Sequence, residues 1–264
     1  MTSIVRPWCA QWIAVARGPK HLTNESLTSD GLLTIGMVRS LYVAWELGDE
    51  ELFTQRLEDL SLRTRMDSEG RLSYTALGRN QKAVILNDND YLGPQDALDT
   101  ICAIREALLE KLITPVHEDL DARIKANPYC KVSDTSYTRM LCDAATIGGI
   151  HQHMLKTRGS ILTKSASEIE DSVVEPASWL FPMMSKIPTV HGGSSHSDHA
   201  PKWECSPARK YKMLCSTIQD DIPTVVASFI KPNHREYMAA QRAKTGLVME
   251  DEISMRRYWS WISS

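Results

Sequence analysis

The sequence predicts a fold that is all-α or nearly so, arranged as a multi-helix orthogonal bundle. Apolar side chains recur at steps of three, four or seven along most of the 264 residues, which places them on one face of successive helices. Only two short apolar runs, at 82–86 and 223–230, have a composition that strands also show. No internal repeat or low-complexity tract is visible, so we expect a single, mostly helical domain over residues 1–264.

Composition and charge argue against several classes of protein. The net charge of −3 gives no general electrostatic reason to bind nucleic acid or an anionic membrane. No apolar run reaches the roughly 18 residues that a membrane-spanning helix needs. Gln11 and Arg17 break the N-terminal apolar run, which does not suit a signal peptide. Since Cys9 and Cys102 also lie on apolar helix faces, we expect an intracellular protein, cytoplasmic or nuclear, without a disulfide framework.

The first predicted helices are delimited by residues that favour helix ends. Pro7 suits the first turn of an N-terminal helix, because its missing N–H costs little there. A second helix is predicted over 37–48, with Gly48 as its C-terminal cap. Asp49 is then expected to cap the following helix, whose first turn carries two glutamates.

A long amphipathic helix is predicted from Pro94 to Asn127. Pro115 interrupts its hydrogen bonding, so we expect a kink near Ile113 and Thr114, or two helices in succession. The predicted buried stripe consists of Leu98, Ile101, Leu108, Leu112, Val116, Leu120 and Ile124. The predicted polar face consists of Asp99, Arg105, Glu106, Glu110, Lys111 and Asp121.

The second half of the chain is also predicted to be helical, apart from one long loop. Pro176 and Pro182 interrupt a helical pattern between residues 165 and 187. Residues 188–207 show no period and are rich in turn formers, so a flexible loop is expected there. The remaining helices are predicted at Tyr137–Lys156, Ala208–Gln219, Pro232–Thr245 and Asp251–Ile262.

A structural zinc site is the main chemical hypothesis. Two cysteines stand twelve residues apart, and a histidine and a cysteine stand six apart in and near the predicted loop. Three thiolates and one imidazole form a common closed tetrahedral set for Zn²⁺. The candidate ligands are Cys130, Cys142, His199 and Cys205. However, no C-x-x-C pair is present, His191 and His196 compete for the histidine position, and the cysteines could equally be buried thiols.

An enzyme or small-molecule binder with a pocket among the helices is the alternative from a different class. The residues that would line this pocket are His151, His153 and His199, with Asp143 and Asp198. His151 and His153 lie about 200° apart around a helix, so they could not share one metal ion. The run HGGSSHSDH contains Ser, His and Asp, but it lacks the G-x-S-x-G elbow of a hydrolase.

Nucleic-acid binding is a third option. Arg256 and Arg257 stand beside three aromatic residues, a combination that can stack on single-stranded nucleic acid. Lys210 and Lys212 would have to join them in one basic stripe. In a chain of negative net charge we prefer the interpretation of a last helix that docks its aromatic side chains on the core.

Six segments together carry a family resemblance. They are VRPWCAQWI (5–13), LYVAWELGDEELFTQRLEDLSLRTRMDSEGRL (41–72), IREALLEKLITPVHEDLDARI (104–124), CDAATIGGI (142–150), CSPARKYKMLCSTIQDDI (205–222) and HREYMAAQRAKTGL (234–247). In this order they resemble the helical region that follows the BTB/POZ domain in a large, mostly uncharacterised group of filamentous-fungal proteins.

The resemblance implies a site and a function. That group has cysteines where Cys130, Cys142 and Cys205 stand here, and a histidine shortly before the last; here APKWE separates His199 from Cys205, a wider spacing. The β-rich BTB core would precede VRPWCAQWI, where this sequence has four residues, so the dimerisation and ubiquitin-ligase binding of that core are not carried over. The resemblance therefore implies a non-enzymatic protein-interaction or adaptor module with a protein partner and a structural Zn²⁺.

Overall fold

The computed structural model describes residues 32–66, 69–74, 83–87, 93–125, 136–156, 176–187 and 207–246. Within these ranges the chain forms seven helices and one small three-stranded sheet, which confirms the prediction of a nearly all-α fold. The helices are α1 Leu32–Leu47, α2 Glu50–Arg63, α3 Ala97–Lys125, α4 Ser136–Lys156, α5 Ala177–Ser185, α6 Pro207–Phe229 and α7 Pro232–Thr245. The strands are β1 Thr64–Met66, β2 Leu72–Tyr74 and β3 Val84–Ile85. No helix in these ranges is long and apolar enough to cross a membrane.

The turn between α1 and α2 follows the predicted capping signals. Gly48 adopts φ +74°, a left-handed conformation that glycine reaches without a steric penalty. Asp49 is fully buried, and its Oδ1 accepts a 3.1 Å hydrogen bond from the Leu52 N–H. Because this bond satisfies one of the first N–H groups of α2, Asp49 is the predicted N-terminal cap.

The chain divides into two compact units. Unit 1 comprises Met1–Leu60, Ser73–Ile101 and Val226–Ser264. Unit 2 comprises Ser61–Leu72 and Cys102–Val225. Each unit has its own buried apolar side chains, among them Leu41 and Phe53 in unit 1 and Leu112 in unit 2.

An aromatic cluster joins α1 to α7 in unit 1. The indole of Trp45 stacks on the Tyr237 ring, with 4.3 Å between centroids and 9° between planes. His234 meets the same indole edge-on at 5.5 Å, and Phe53 lies tilted at 5.6 Å. The Arg242 Nε donates a 2.9 Å hydrogen bond to the Gly48 carbonyl, so α7 is also bound to the turn that follows α1.

Of the two predicted strand candidates, one is a strand and the other is a helix. Strand β3 lies in the run 82–86 and pairs antiparallel with β2, with Ser73 opposite Ile85. The strand alternative for 223–230 is wrong, because residues 223–229 form the end of α6. The buried residues Ile218 and Ile222 are followed by buried Val225, Val226 and Ile230. These intervals of three, one and four residues keep the buried side chains on one face of a helix.

The long helix α3 is continuous through Pro115, so the alternative of two successive helices is wrong. Its ends lie within three residues of the predicted Pro94 and Asn127. Pro115 has no N–H, and the carbonyl of Lys111 therefore lacks its usual helical donor.

The buried stripe of α3 differs from the predicted one at both ends, since Leu98 at its start is only half-buried. After Val116 the buried positions are Asp119 and Arg123, whereas Leu120 is half-buried and Ile124 is exposed. The reason is helical geometry: steps of four residues drift about 40° each around a helix of 3.6 residues per turn. Four such steps from Leu108 carry Ile124 about 160° away from the core.

The position of Arg105 on α3 also differs from the prediction. It was predicted on the polar face but is buried, and its Nε donates a 3.4 Å hydrogen bond to the Thr64 carbonyl in unit 2. A long guanidinium side chain can turn back to a backbone acceptor, which an amphipathic pattern does not reveal.

The later helices agree with prediction to differing degrees. α7 has the predicted bounds, α4 begins one residue early, and α6 extends ten residues beyond the predicted Gln219. α5 begins directly after Pro176 and includes Pro182. The predicted helices after Pro7 and at 251–262 lie outside the described residues, and so do positions 188–206 of the predicted loop.

Candidate functional site

One of the four predicted zinc ligands is within the described residues. Cys142 lies on α4 and is 5 % exposed. Cys130, His199 and Cys205 lie outside the described part of the chain. Among the residues that the structure does describe, no three His, Cys, Asp or Glu side chains are grouped as a metal ion requires. The zinc site therefore stays a prediction.

The two histidines of the predicted enzymatic pocket have different surroundings. His151 is exposed on α4, whereas His153 is half-buried and its Nε2 lies 2.9 Å from the Met183 carbonyl oxygen. With Nε2 protonated, this imidazole donates to the backbone of α5 and links the two helices. The structure does not bring the two rings together, and His199 lies outside the described residues.

The most distinctive polar feature of unit 2 is a buried ion network around Asp119. This carboxylate has no exposed surface and accepts three hydrogen bonds. Arg123 donates at 3.1 Å, Lys210 at 2.7 Å and the Tyr211 hydroxyl at 2.9 Å. A buried carboxylate is stable in an apolar interior only when its oxygens are matched in this way.

A second carboxylate completes the network. Arg123 Nη1 lies 3.3 Å from Asp143 Oδ1, and both side chains are buried. Asp119 and Arg123 come from α3, Asp143 from α4, and Lys210 with Tyr211 from α6. Two carboxylates thus face two cations, of which Arg123 is buried and Lys210 is half exposed, and the three helices are fixed at one place.

The electrostatics of the network favour its charged form. Burial alone would raise the pKa of Asp119, but the Lys210 hydrogen bond and the charges of Arg123 and Lys210 outweigh it, so that pKa lies below its ordinary value. Burial opposes the charge on Arg123 too, yet Asp119 holds the Arg123 pKa above its ordinary value. The ion pair is therefore retained at neutral pH.

This network is not among the features predicted from the sequence, although the sequence contains one signal of it. Asp119 follows Leu112 by seven residues, and Arg123 follows Val116 by seven, so both are in register with the apolar stripe. A charged pair spaced four residues apart on an apolar face indicates a buried ion pair. The partner Lys210 lies 91 residues away from Asp119, and no local pattern could have identified it.

Among the residues whose side chains the structure describes, five large apolar side chains are exposed, and all five belong to unit 2. They are Ile124 (67 %), Met213 (62 %), Leu141 (51 %), Met140 (50 %) and Trp179 (36 %). All but Trp179 stand within three residues of a member of the ion network. The network therefore fixes the helical turns that present these apolar groups to solvent.

Cys215 has a structural role in unit 2. Its Sγ lies 3.6 Å from the Phe181 carbonyl oxygen, to which the thiol donates. Burial raises the pKa of this thiol to about 11, so it remains protonated at neutral pH.

Unit 1 contains a smaller charged group near the start of α3. The Asp96 carboxylate accepts from the Lys231 ammonium and lies 3.0 Å from His234 Nε2. Burial by itself would raise the pKa of Asp96. The Lys231 hydrogen bond and the positive charges of His234 and Lys231 have a larger, opposite effect, so the pKa of Asp96 lies below its ordinary value. These contacts join the residue before α3 to the first turn of α7.

Comparison of the chain with protein-family models, with curated proteins and with solved structures gives no match.

Proposed function

We propose that the chain is a non-enzymatic protein–protein interaction module that binds its partner through unit 2. The observation that supports this proposal is the location of the five exposed large apolar side chains, all of which belong to that unit. Each of these side chains exposes apolar area that a partner protein could cover.

Two features of unit 2 favour binding by these exposed side chains. The ion network around Asp119 holds α3, α4 and α6 in place, so little conformational entropy is lost there when a partner binds. Met140 and Met213 supply flexible, polarisable side chains that adapt to a partner's surface.

The family and the metal remain part of the proposal. The resemblance to the helical region after fungal BTB/POZ domains supports an adaptor role. Cys130, Cys142, His199 and Cys205 would hold a Zn²⁺ ion with no open coordination position, and the ion would stabilise the fold. The burial of Cys142 suits a closed site of this kind.

The test uses the full chain as bait in an extract of its source organism. The variant Ile124→Glu/Met213→Glu introduces two carboxylates at the two most exposed apolar positions. We expect wild type to enrich at least one protein whose recovery falls about tenfold or more with the variant, because burying a carboxylate in an apolar contact is costly. Quantitative mass spectrometry of the bound fraction measures this.

The matched control is Thr217→Glu/Gln219→Glu, which adds the same charge at exposed polar positions of α6. It should recover the partner as wild type does, and circular dichroism should show the same melting temperature for all three proteins. Recovery that is equal in all three, or no enrichment over empty resin, would refute the proposal.

A further inference from the structure

Thr146 on α4 is buried with its hydroxyl group unused. The residue has no exposed surface, and its Oγ1 has no hydrogen-bond partner among the residues that the structure describes. Two threonines on other helices bond to the carbonyl four residues back. Thr54 Oγ1 donates to the Glu50 carbonyl at 2.7 Å, and Thr100 Oγ1 donates to the Asp96 carbonyl at 2.8 Å. Thr146 makes no such bond, although a buried hydroxyl without a partner is costly.

Cys142 lies one helical turn before Thr146 on the same buried face of α4. Residues four positions apart on a helix have Cβ atoms about 5–6 Å from each other. Helical side chains lean toward the N-terminus, so the Thr146 hydroxyl can reach back to the Cys142 sulfur. Because Cys142 is only 5 % exposed, water has little access to that sulfur.

The ion network of unit 2 holds this turn of α4 in place. Asp143 directly follows Cys142, and its Oδ1 lies 3.3 Å from Arg123 Nη1, with both side chains buried. The contact joins α4 to α3 at the turn that carries both Cys142 and Thr146. The thiol and the hydroxyl therefore have defined positions inside unit 2.

We propose that Thr146 donates a hydrogen bond to the Cys142 thiolate when that sulfur binds Zn²⁺. The inference rests on the zinc site of the proposed function. A neutral thiol is a weak acceptor, whereas hydrogen bonds to a charged acceptor are about twice as strong as those between neutral groups. A cysteine must be deprotonated to bind a metal ion, so the unused hydroxyl gains a charged partner in the metal-bound protein.

This hydrogen bond makes metal affinity depend on a residue that is not itself a ligand. A donor that is satisfied only in the metal-bound form stabilises that form relative to the metal-free one. Removing the hydrogen-bond partner of a metal ligand typically weakens metal binding by about 10–100-fold. Thr146→Val should have no such cost in the metal-free protein, because valine removes an unsatisfied buried hydroxyl at nearly constant shape.

Competition with a chromophoric chelator measures the Zn²⁺ dissociation constant of the full chain. Thr146→Val should raise it about tenfold or more, whereas Thr146→Ser keeps the hydroxyl and should stay within about threefold of wild type. The matched control is Thr100→Val, at a buried position of α3 whose hydroxyl already donates to a carbonyl. It should bind Zn²⁺ as wild type does. In urea, metal-free Thr146→Val should be at least as stable as wild type, and metal-free Thr100→Val less stable.

Two results would overturn the inference and leave the zinc site standing. Thr146→Val could bind Zn²⁺ as tightly as wild type, or Thr146→Ser and Thr100→Val could lose as much affinity as Thr146→Val. A metal-free Thr146→Val protein much less stable than wild type would also overturn it, since the hydroxyl would then have a structural role. A wild-type chain that binds no Zn²⁺ would remove the zinc site and this inference together, while partner capture through Ile124 and Met213 is measured separately.

Discussion

The Tyr211 hydroxyl donates a 2.9 Å hydrogen bond to the Asp119 carboxylate, although 92 residues separate the two in the chain. Together with Lys210 and Arg123, this contact fixes α6 to α3 in unit 2. The network is therefore expected to contribute to stability, and the first two predictions concern its central carboxylate.

Asp119→Asn should destabilise the protein by about 3 kcal/mol, because it removes one of the two carboxylates that pair with the buried Arg123 guanidinium. Urea unfolding followed by circular dichroism measures the change. The matched control is Asp121→Asn on the same helix, where an exposed carboxylate pairs with Lys125 and little change is expected. Equal midpoints for the two variants would contradict a stabilising role of the network.

Acid should weaken unit 2 through the same carboxylate. The folded-state pKa of Asp119 is lowered, so its contribution is complete above the unfolded value of about 4 and is lost as the pH falls through the folded value. Between these two pKa values the unfolding free energy of wild type should fall faster with decreasing pH than that of Asp119→Asn. Denaturant titrations from about pH 7 to pH 2 measure both slopes, and parallel curves would disprove the assignment.

Gly48→Ala should destabilise unit 1 by about 3 kcal/mol or more. The residue has φ +74°, which costs an alanine about 1–2 kcal/mol. A Cβ atom would also collide with the backbone of α7, where it would lie 2.5 Å from the Arg242 nitrogen and against the Met238 carbonyl oxygen.

Gly70→Ala separates these two costs. Gly70 has the same φ of +74°, but a Cβ atom there would meet no atom of the described residues within 4 Å. It should lose only the conformational part, about 1 kcal/mol. If thermal unfolding shows equal losses for both variants, the close approach of α7 is not the cause.

Cys215 should resist alkylation in the folded protein. Its buried thiol has a pKa of about 11, so almost no thiolate exists at pH 8. Peptide mapping after iodoacetamide treatment should find Cys215 unmodified without denaturant and fully modified in urea. Modification of Cys215 under native conditions, at a rate equal to that in urea, would contradict the structure.

The zinc proposal predicts about one Zn²⁺ per chain in the purified protein. Cys130→Ser and Cys142→Ser should each abolish the metal and lower the melting temperature, as a chelator should in wild type. Cys102→Ser, at a half-buried position of α3, is the control that should retain the metal. Elemental analysis decides: a wild-type protein with far less than one equivalent, or with unchanged melting in chelator, has no structural zinc.

Local signals accounted for most of the secondary structure. Gly48 and Asp49 identified the turn between α1 and α2, since their effects act within one helical turn. The bounds of α7 and the start of α4 followed from apolar periodicity in the same way. The prediction of a single domain over residues 1–264 stays a prediction.

The ion network could not be predicted in the same way. Periodicity assigns charged residues to solvent, and it cannot tell whether another element lies opposite, as helix α6 does for Asp119 and strand β1 does for Arg105. The drift of the stripe from Leu120 and Ile124 to Asp119 and Arg123 was calculable from helix geometry alone. The identity of Lys210 and Tyr211 as partners depended on tertiary structure.

The Arg242–Gly48 hydrogen bond has a consequence for biosynthesis. It joins residues 194 positions apart, and α7 is among the last described parts of the chain to leave the ribosome. At about 5–20 residues per second, α1 and α2 wait roughly 10–40 s for the helix that covers their turn. Most of unit 2, from Cys102 to Val225, emerges within that interval as one uninterrupted stretch. We therefore expect nascent unit 2 to fold first, and a nascent chain that stalls before residue 232 to leave the aromatic face of Trp45 open to chaperones.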